Sequence, residues 1–170
     1  FIRPLNSEIR AQRLDKNGIK VGPTIMISTG PDNFRRYPNV AYNSTADQYL
    51  IVWENEATWK SIRARRITGT GAPLDSTDIV LTGDINLWTP TKPAVAYAST
   101  ADRYMVVWAE ASHVGSLLKT IYAQMMNAQG LKDGLAFKVS EGSEVRSNPD
   151  IAYNRSINRN LVVWEENIGG

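Results

Sequence analysis

One set of motifs occurs three times in these 170 residues, and a repeat of that length decides the architecture before any local reading does. Pro38-Asn39-Val40-Ala41-Tyr42, Pro93-Ala94-Val95-Ala96-Tyr97 and Pro149-Asp150-Ile151-Ala152-Tyr153 recur at intervals of 55 and 56 residues. Fifteen residues after each proline stands a tryptophan, Trp53, Trp108 or Trp164, closing the runs Tyr49-Leu50-Ile51-Val52, Tyr104-Met105-Val106-Val107 and Leu161-Val162-Val163. A second pair of signals follows. Ile9-Arg10-Ala11-Gln12, Ile62-Arg63-Ala64-Arg65 and Ile121-Tyr122-Ala123-Gln124 each lead, seven residues past the alanine, to Gly18, Gly71 or Gly130, and nineteen residues past it to Gly30, Gly83 or Gly142.

Each unit reads as four short strands, A to D: the P-x-V-A-Y segment, the run ending in tryptophan, the I-x-A segment, and the apolar stretch before the last glycine. Four strands separated by turn residues predict an all-β fold. Proline at the head of strand A is compatible with a strand start or an edge. Asn17-Gly18 is a tight-hairpin dipeptide, and the aligned glycines predict positive φ there. In strand B, neighbours that point opposite ways, such as Leu50 and Ile51, are both apolar, which predicts burial on both faces.

The pattern P-x-V-A-Y…V-V-W-E…I-x-A-Q…G resembles the β-propeller class, in which four-stranded blades of about 40–50 residues stack around a channel. It is similar in particular to blade repeats of large bacterial proteins of unassigned role. The resemblance spans nearly the whole chain and implies the fold alone, because the aspartate box of sialidase blades, the G-H…W-D pairs of WD40 blades and a calcium loop are missing. The implied organisation is a half-blade at 1–37, blades at 38–92 and 93–148, and a half-blade at 149–170, three blades per chain in total. An isolated two-stranded hairpin is marginal in water, so the half-blades are expected to unite. Closure inside one chain would need roughly 120° between neighbours, outside the range of about 4–8 blades that propellers use. A homodimer sharing blades between termini gives a six-bladed ring with two-fold symmetry. A segment of a longer propeller is the other arrangement weighed.

Composition narrows the partners. Net charge is +2, with Lys and Arg dispersed, so neither nucleic acid nor an anionic membrane is expected as a partner. No apolar run approaches the roughly 18 residues of a spanning helix. Cysteine is absent and histidine occurs once, which removes disulfides and argues against zinc. No cofactor motif is present, and the compartment is not legible.

Loop lengths point to one face. The spacings within A–B and C–D are constant, whereas Trp to Ala is 11 then 15 residues and Gly to the next Pro is 8, 10 and 7. Length variation therefore falls on the end of the blades that carries the D–A and B–C loops, the expected binding face. The non-repeated aromatics of those loops are Phe34, Tyr37, Trp59 and Trp88, with His113 in the longest. Beside them stand Arg36, Lys92 and Asn148, and also Asp32, Asp84 and Asn86. These rings read as caps over the apolar blade ends, as the usual burial of aromatics favours, or as a platform that captures a sugar or peptide. Asp47, Asp102 and Asn158 recur nine residues after each proline and read as turn formers more readily than as a metal ring. Glu54, Glu110, Glu165 and Glu166 follow the tryptophans and read as solvated charges, the alternative being paired carboxylates for glycan hydrolysis. The sequence therefore predicts a non-enzymatic binding or interaction module for carbohydrate or peptide, against a glycan-acting hydrolase or a structural propeller segment.

Overall fold

A computed structural model describes residues 7–28, 34–83, 89–111, 113, 115–142 and 144–167. The described residues form twelve strands, no helix, and four antiparallel sheets, none of which closes on itself. Strands β1 (Arg10–Leu14) and β2 (Lys20–Met26) make a hairpin. Strands β3 (Phe34–Asn43), β4 (Gln48–Glu56), β5 (Lys60–Thr68) and β6 (Ile79–Val80) form a meander in that order. A second meander contains β7 (Thr89–Ala98), β8 (Arg103–Ala111), β9 (Thr120–Asn127) and β10 (Lys132–Lys138), and β11 (Val145–Asn154) pairs with β12 (Arg159–Asn167).

Turn chemistry repeats with the sequence. Between the first two strands of a unit, Asn43 Oδ1 accepts the N–H groups of Thr45 and Ala46, and the chain then reverses through Asp47 at φ 47°. Asp102 and Asn158 take the same left-handed conformation. Each is bridged by the tyrosine five residues earlier: Tyr42 donates to Asp47, Tyr97 to Asp102 and Tyr153 to Asn158, at 2.7 to 2.9 Å. Their recurrence is thus a turn device. Between β1 and β2, a turn from Asp15 ends at Gly18 with φ 78°, as a three-residue hairpin loop requires, and Gly71 and Gly130 do the same.

The sheets stack face to face in chain order. Ile9 and Ile27 of the first hairpin pack on Ile51, Trp53 and Ile67 of the next sheet. Leu50, Val52, Ile62 and Ala64 on the opposite face of that sheet meet Val95, Tyr104, Val106 and Trp108 of the second meander. Val107 and Ala123 then meet Ile151 and Val162. Strand B is therefore buried on both faces in both meanders, as its two-sided apolar pattern predicts. The edge strands β3, β7 and β11, here called the inner strands, lie side by side along this stack.

Four details depart from the sequence reading. Strands A begin four residues before their prolines, so Pro38, Pro93 and Pro149 sit inside strands; each lies at a bulge on an edge strand, where no ladder N–H is needed. The constant alanine-to-glycine spacing conceals a one-residue shift: Ile62 N–H bonds a hydroxyl 20 residues on, against 19 for Ile9 and Ile121. The C–D connection before β6 is accordingly irregular, and Asp75 and Asp78 in it pair with Arg66 and Arg65. Trp164 is only half-buried while Trp53 and Trp108 are 0% and 2% exposed, because no described strand covers the far edge of β12. Glu54 and Glu110, expected in solvent, are 2% and 7% exposed; they lie on β4 and β8 at a sheet-to-sheet contact and have internal partners.

Candidate functional site

The bulges create the site. At the residue before each proline the chain turns to φ 52°, at Tyr37, Lys92 and Asn148 alike. Such a conformation in a non-glycine residue costs about 1–3 kcal/mol and persists only where surrounding structure enforces it. Here the ladder enforces it: pairing shifts register between Arg36 and Asn39, Thr91 and Ala94, and Ser147 and Asp150. A bulge re-aims a side chain out of the strand's alternation. The three re-aimed side chains converge where the inner strands meet.

The pocket so formed has a volume of about 300 Å³ and is walled by three equivalent tripeptides: Tyr37-Pro38-Asn39, Lys92-Pro93-Ala94 and Asn148-Pro149-Asp150. The Lys92 ammonium stands 5.5 Å from the Tyr37 ring centroid and donates to Asn148 Oδ1. Asn148 Nδ2 donates to Glu165 Oε2, which also accepts from the Ser147 hydroxyl at 3.0 Å. Behind Lys92, its backbone N–H donates to Glu54 Oε2 at 3.2 Å, and the other Glu54 oxygen takes Lys60 Nζ at 2.9 Å. Tyr37 remains 46% exposed and Asn148 is exposed, so the mouth presents a ring face, an ammonium, an amide and a carboxylate together. That mixture orients a small polar ligand against a flat apolar surface. Beside the pocket, Lys119 Nζ donates to Thr91 Oγ1 at 3.2 Å, and burial, followed by the charge of Lys60, holds this amine below the usual lysine range.

Of the residues singled out from sequence, Tyr37, Lys92 and Asn148 come together. Phe34 and Arg36 lie on β3, not in a loop, because the strand starts earlier than its proline implies. The Arg36 guanidinium sits 5.2 Å from the Phe34 ring centroid and pairs with Glu56 at 3.0 Å, so this couple is engaged with itself. Trp59 stands 40% exposed on the β4–β5 turn, and His113 is exposed on the β8–β9 connection; neither lines the pocket. Trp88 lies outside the described residues, as do Asp32, Asp84 and Asn86. The sequence reading missed Glu165 as a site partner, although its position directly after a repeat tryptophan matches that of Glu54.

The remaining carboxylates are committed to structure. Glu110 Oε2 accepts the Trp108 indole N–H at 2.9 Å, and burial raises this carboxyl above the ordinary glutamate range. Glu166 takes the Trp164 indole N–H at 2.8 Å and Arg146 Nε at 2.6 Å, and the Arg146 bond holds it below that range. Among the described residues no group of three or more His, Cys, Asp or Glu side chains is placed to hold a metal ion. Comparison with protein families, curated proteins and solved structures finds no match to this chain.

Proposed function

We propose that the chain is three blades of a β-propeller, completed to six by a second copy, and that it works as a non-enzymatic binding module for carbohydrate or peptide at the axial end of its inner strands. One observation carries the reading: three repeat-equivalent positions, all held in a left-handed conformation, bring an aromatic ring, an ammonium and an amide into one open pocket. The stacked meanders and the three-fold recurrence of bulge, tyrosine-bridged turn and hydroxyl-capped third strand support the propeller. Of the four glutamates a hydrolase could draw on, Glu54 and Glu110 are buried among internal partners, Glu166 is held by Arg146 and Trp164, and Glu165 by Ser147 and Asn148. That arrangement favours binding over hydrolysis.

The test is a glycan and peptide array, followed by calorimetric titration of the strongest hit. Tyr37→Ala and Lys92→Met should each weaken binding by about tenfold, the equivalent of one stacking or hydrogen-bond contribution. Trp59→Ala, away from the pocket, should leave affinity unchanged. An array without hits, or affinity that survives both pocket substitutions, overturns the reading.

A further inference from the structure

The stack carries two unfinished surfaces, and each offers what the other lacks. At one end β1 has, among the described residues, a strand partner on one edge only, and a groove of about 590 Å³ runs between it and the outer face of β3–β5. Val40 on that face is 57% exposed, whereas its repeat equivalents Val95 and Ile151, each covered by a preceding sheet, are 5% and 9% exposed. At the opposite end β12 has one edge that no described strand pairs, and it shows Leu161 and Val163 at 67% and 51% exposure, while Leu50 and Val52, their equivalents, are fully buried. The groove is where strands A and B of a unit belong, and β11–β12 is an A–B pair with one face uncovered.

We propose that the β11–β12 hairpin of a second copy fills this groove in a fixed register, and that the same exchange completes the axial site across the two-fold axis. The register follows from the chain's own repeats. Val52 stands opposite Ala64 and Val107 opposite Ala123, which sets Val163 of one copy opposite Ala11 of the other, and Trp164 opposite Arg10. Charge agrees with this placement. Tyr122, the equivalent of Arg10, stacks on Trp108 with centroids 6.2 Å apart and planes at 15°. Arg10, paired with Glu8 at 2.7 Å in the single chain, then turns its guanidinium onto the Trp164 ring, next to the Glu166 carboxylate that accepts the indole N–H. Leu161 and Val163 then cover Val40, Tyr49 and Ile51 of the other copy, and Leu14, 59% exposed in the single chain, extends the apolar contact already formed by Val107 and Ile151. Two such junctions form at once, since an isologous pairing uses the same surfaces twice.

The consequence for the site rests on the binding reading given above. Glu54 accepts the backbone N–H of Lys92 from the neighbouring unit. Glu165 occupies the Glu54 position and Tyr37 the Lys92 position, so Glu165 of one copy accepts the Tyr37 N–H of the other. The pocket of a single chain is then one half of an axial ring, with the second copy's Asn148 beside Tyr37.

The chain has no cysteine, so the register can be read by crosslinking. Directly opposed residues of antiparallel strands lie within reach of a disulfide. Ala11→Cys and Val163→Cys chains, mixed and oxidised, should give a covalent dimer that neither variant gives alone. Light scattering of the unmodified chain should give twice the mass of one chain, and Val163→Asp, whose side chain is exposed in the single chain, should remain folded at the mass of one. A dimer mass without crosslinking in the mixture overturns the register and leaves the binding reading in place. A mass of one chain at every concentration overturns the exchange, and ligand binding by that monomer would still uphold the pocket.

Discussion

Trp108→Ala tests the packing on which the stack depends. Trp108 is 2% exposed, faces Leu50, Val52 and Ile62 of the neighbouring sheet, stacks on Tyr122, and donates to Glu110. Replacing a buried tryptophan by alanine costs about 3–5 kcal/mol from transfer and cavity together. Loss of the stacked ring pair adds about 0.5–1.5 kcal/mol. The expected loss of about 3.5–6.5 kcal/mol is a large part of the roughly 5–15 kcal/mol that holds a domain folded. Phenylalanine sharpens the test. Trp108→Phe keeps most of the ring and forfeits the bond to Glu110, so it should cost about 1–2 kcal/mol more than the ring volume alone implies. Trp53, 0% exposed, has an indole N–H with no hydrogen-bond partner among the described residues, so Trp53→Phe gives up no bond to any of them and should cost less than Trp108→Phe. The assay is urea unfolding followed by far-ultraviolet circular dichroism at one fixed protein concentration, with the slope checked for change. A loss below about 1 kcal/mol for Trp108→Ala, or a Trp53→Phe loss larger than that of Trp108→Phe, would refute the reasoning.

Glu110, with its carboxyl raised by burial and only partly restored by the Trp108 N–H, should make stability pH-dependent. A carboxyl whose folded pKa lies above its unfolded value favours folding fully below the unfolded value, and stability falls as pH climbs through the folded one. Glu110→Gln should flatten that segment of the stability–pH curve measured by urea titration. Asp102 is left-handed and accepts from Tyr97 at 2.7 Å, so Asp102→Ala should lower stability by about 1–2 kcal/mol while Asp102→Asn, which keeps both features, should be nearly neutral. Gly18 has φ 78° with open space around it, whereas a Cβ at Gly130 would meet Ile79 and Arg66 within 3 Å; Gly18→Ala should cost about 1 kcal/mol and Gly130→Ala more, by thermal unfolding.

The strands were legible because the repeat fixes equal offsets between residues whose roles are backbone-determined: glycines that need positive φ, Asx residues that end a turn, and apolar runs buried on both faces. What the repeat could not convey is local. A proline inside a strand reads as its start unless the strand is known to be an edge with a bulge, so from sequence Phe34, Arg36 and Tyr37 fall in a loop. Tyr37, Lys92 and Asn148 share no side-chain chemistry, and their common left-handed conformation therefore leaves no mark in the sequence. Glu54 and Glu110 look solvated by residue type, yet sheet-to-sheet stacking buries them, and only coordinates supply the Lys60, Lys92 and Trp108 donors that make burial tolerable. The shifted third-to-fourth-strand connection escaped for the opposite reason: two compensating differences cancel in the residue count.

Amide hydrogen exchange along β1 and β12, followed over a range of protein concentrations, bears most directly on the claim that these two edges belong to one sheet. Slow exchange at 10–14 and 159–165 that strengthens with concentration and matches β5 and β4 at saturation is the predicted result. Rapid exchange there at every concentration, beside a protected β4–β5 and β8–β9, would contradict it.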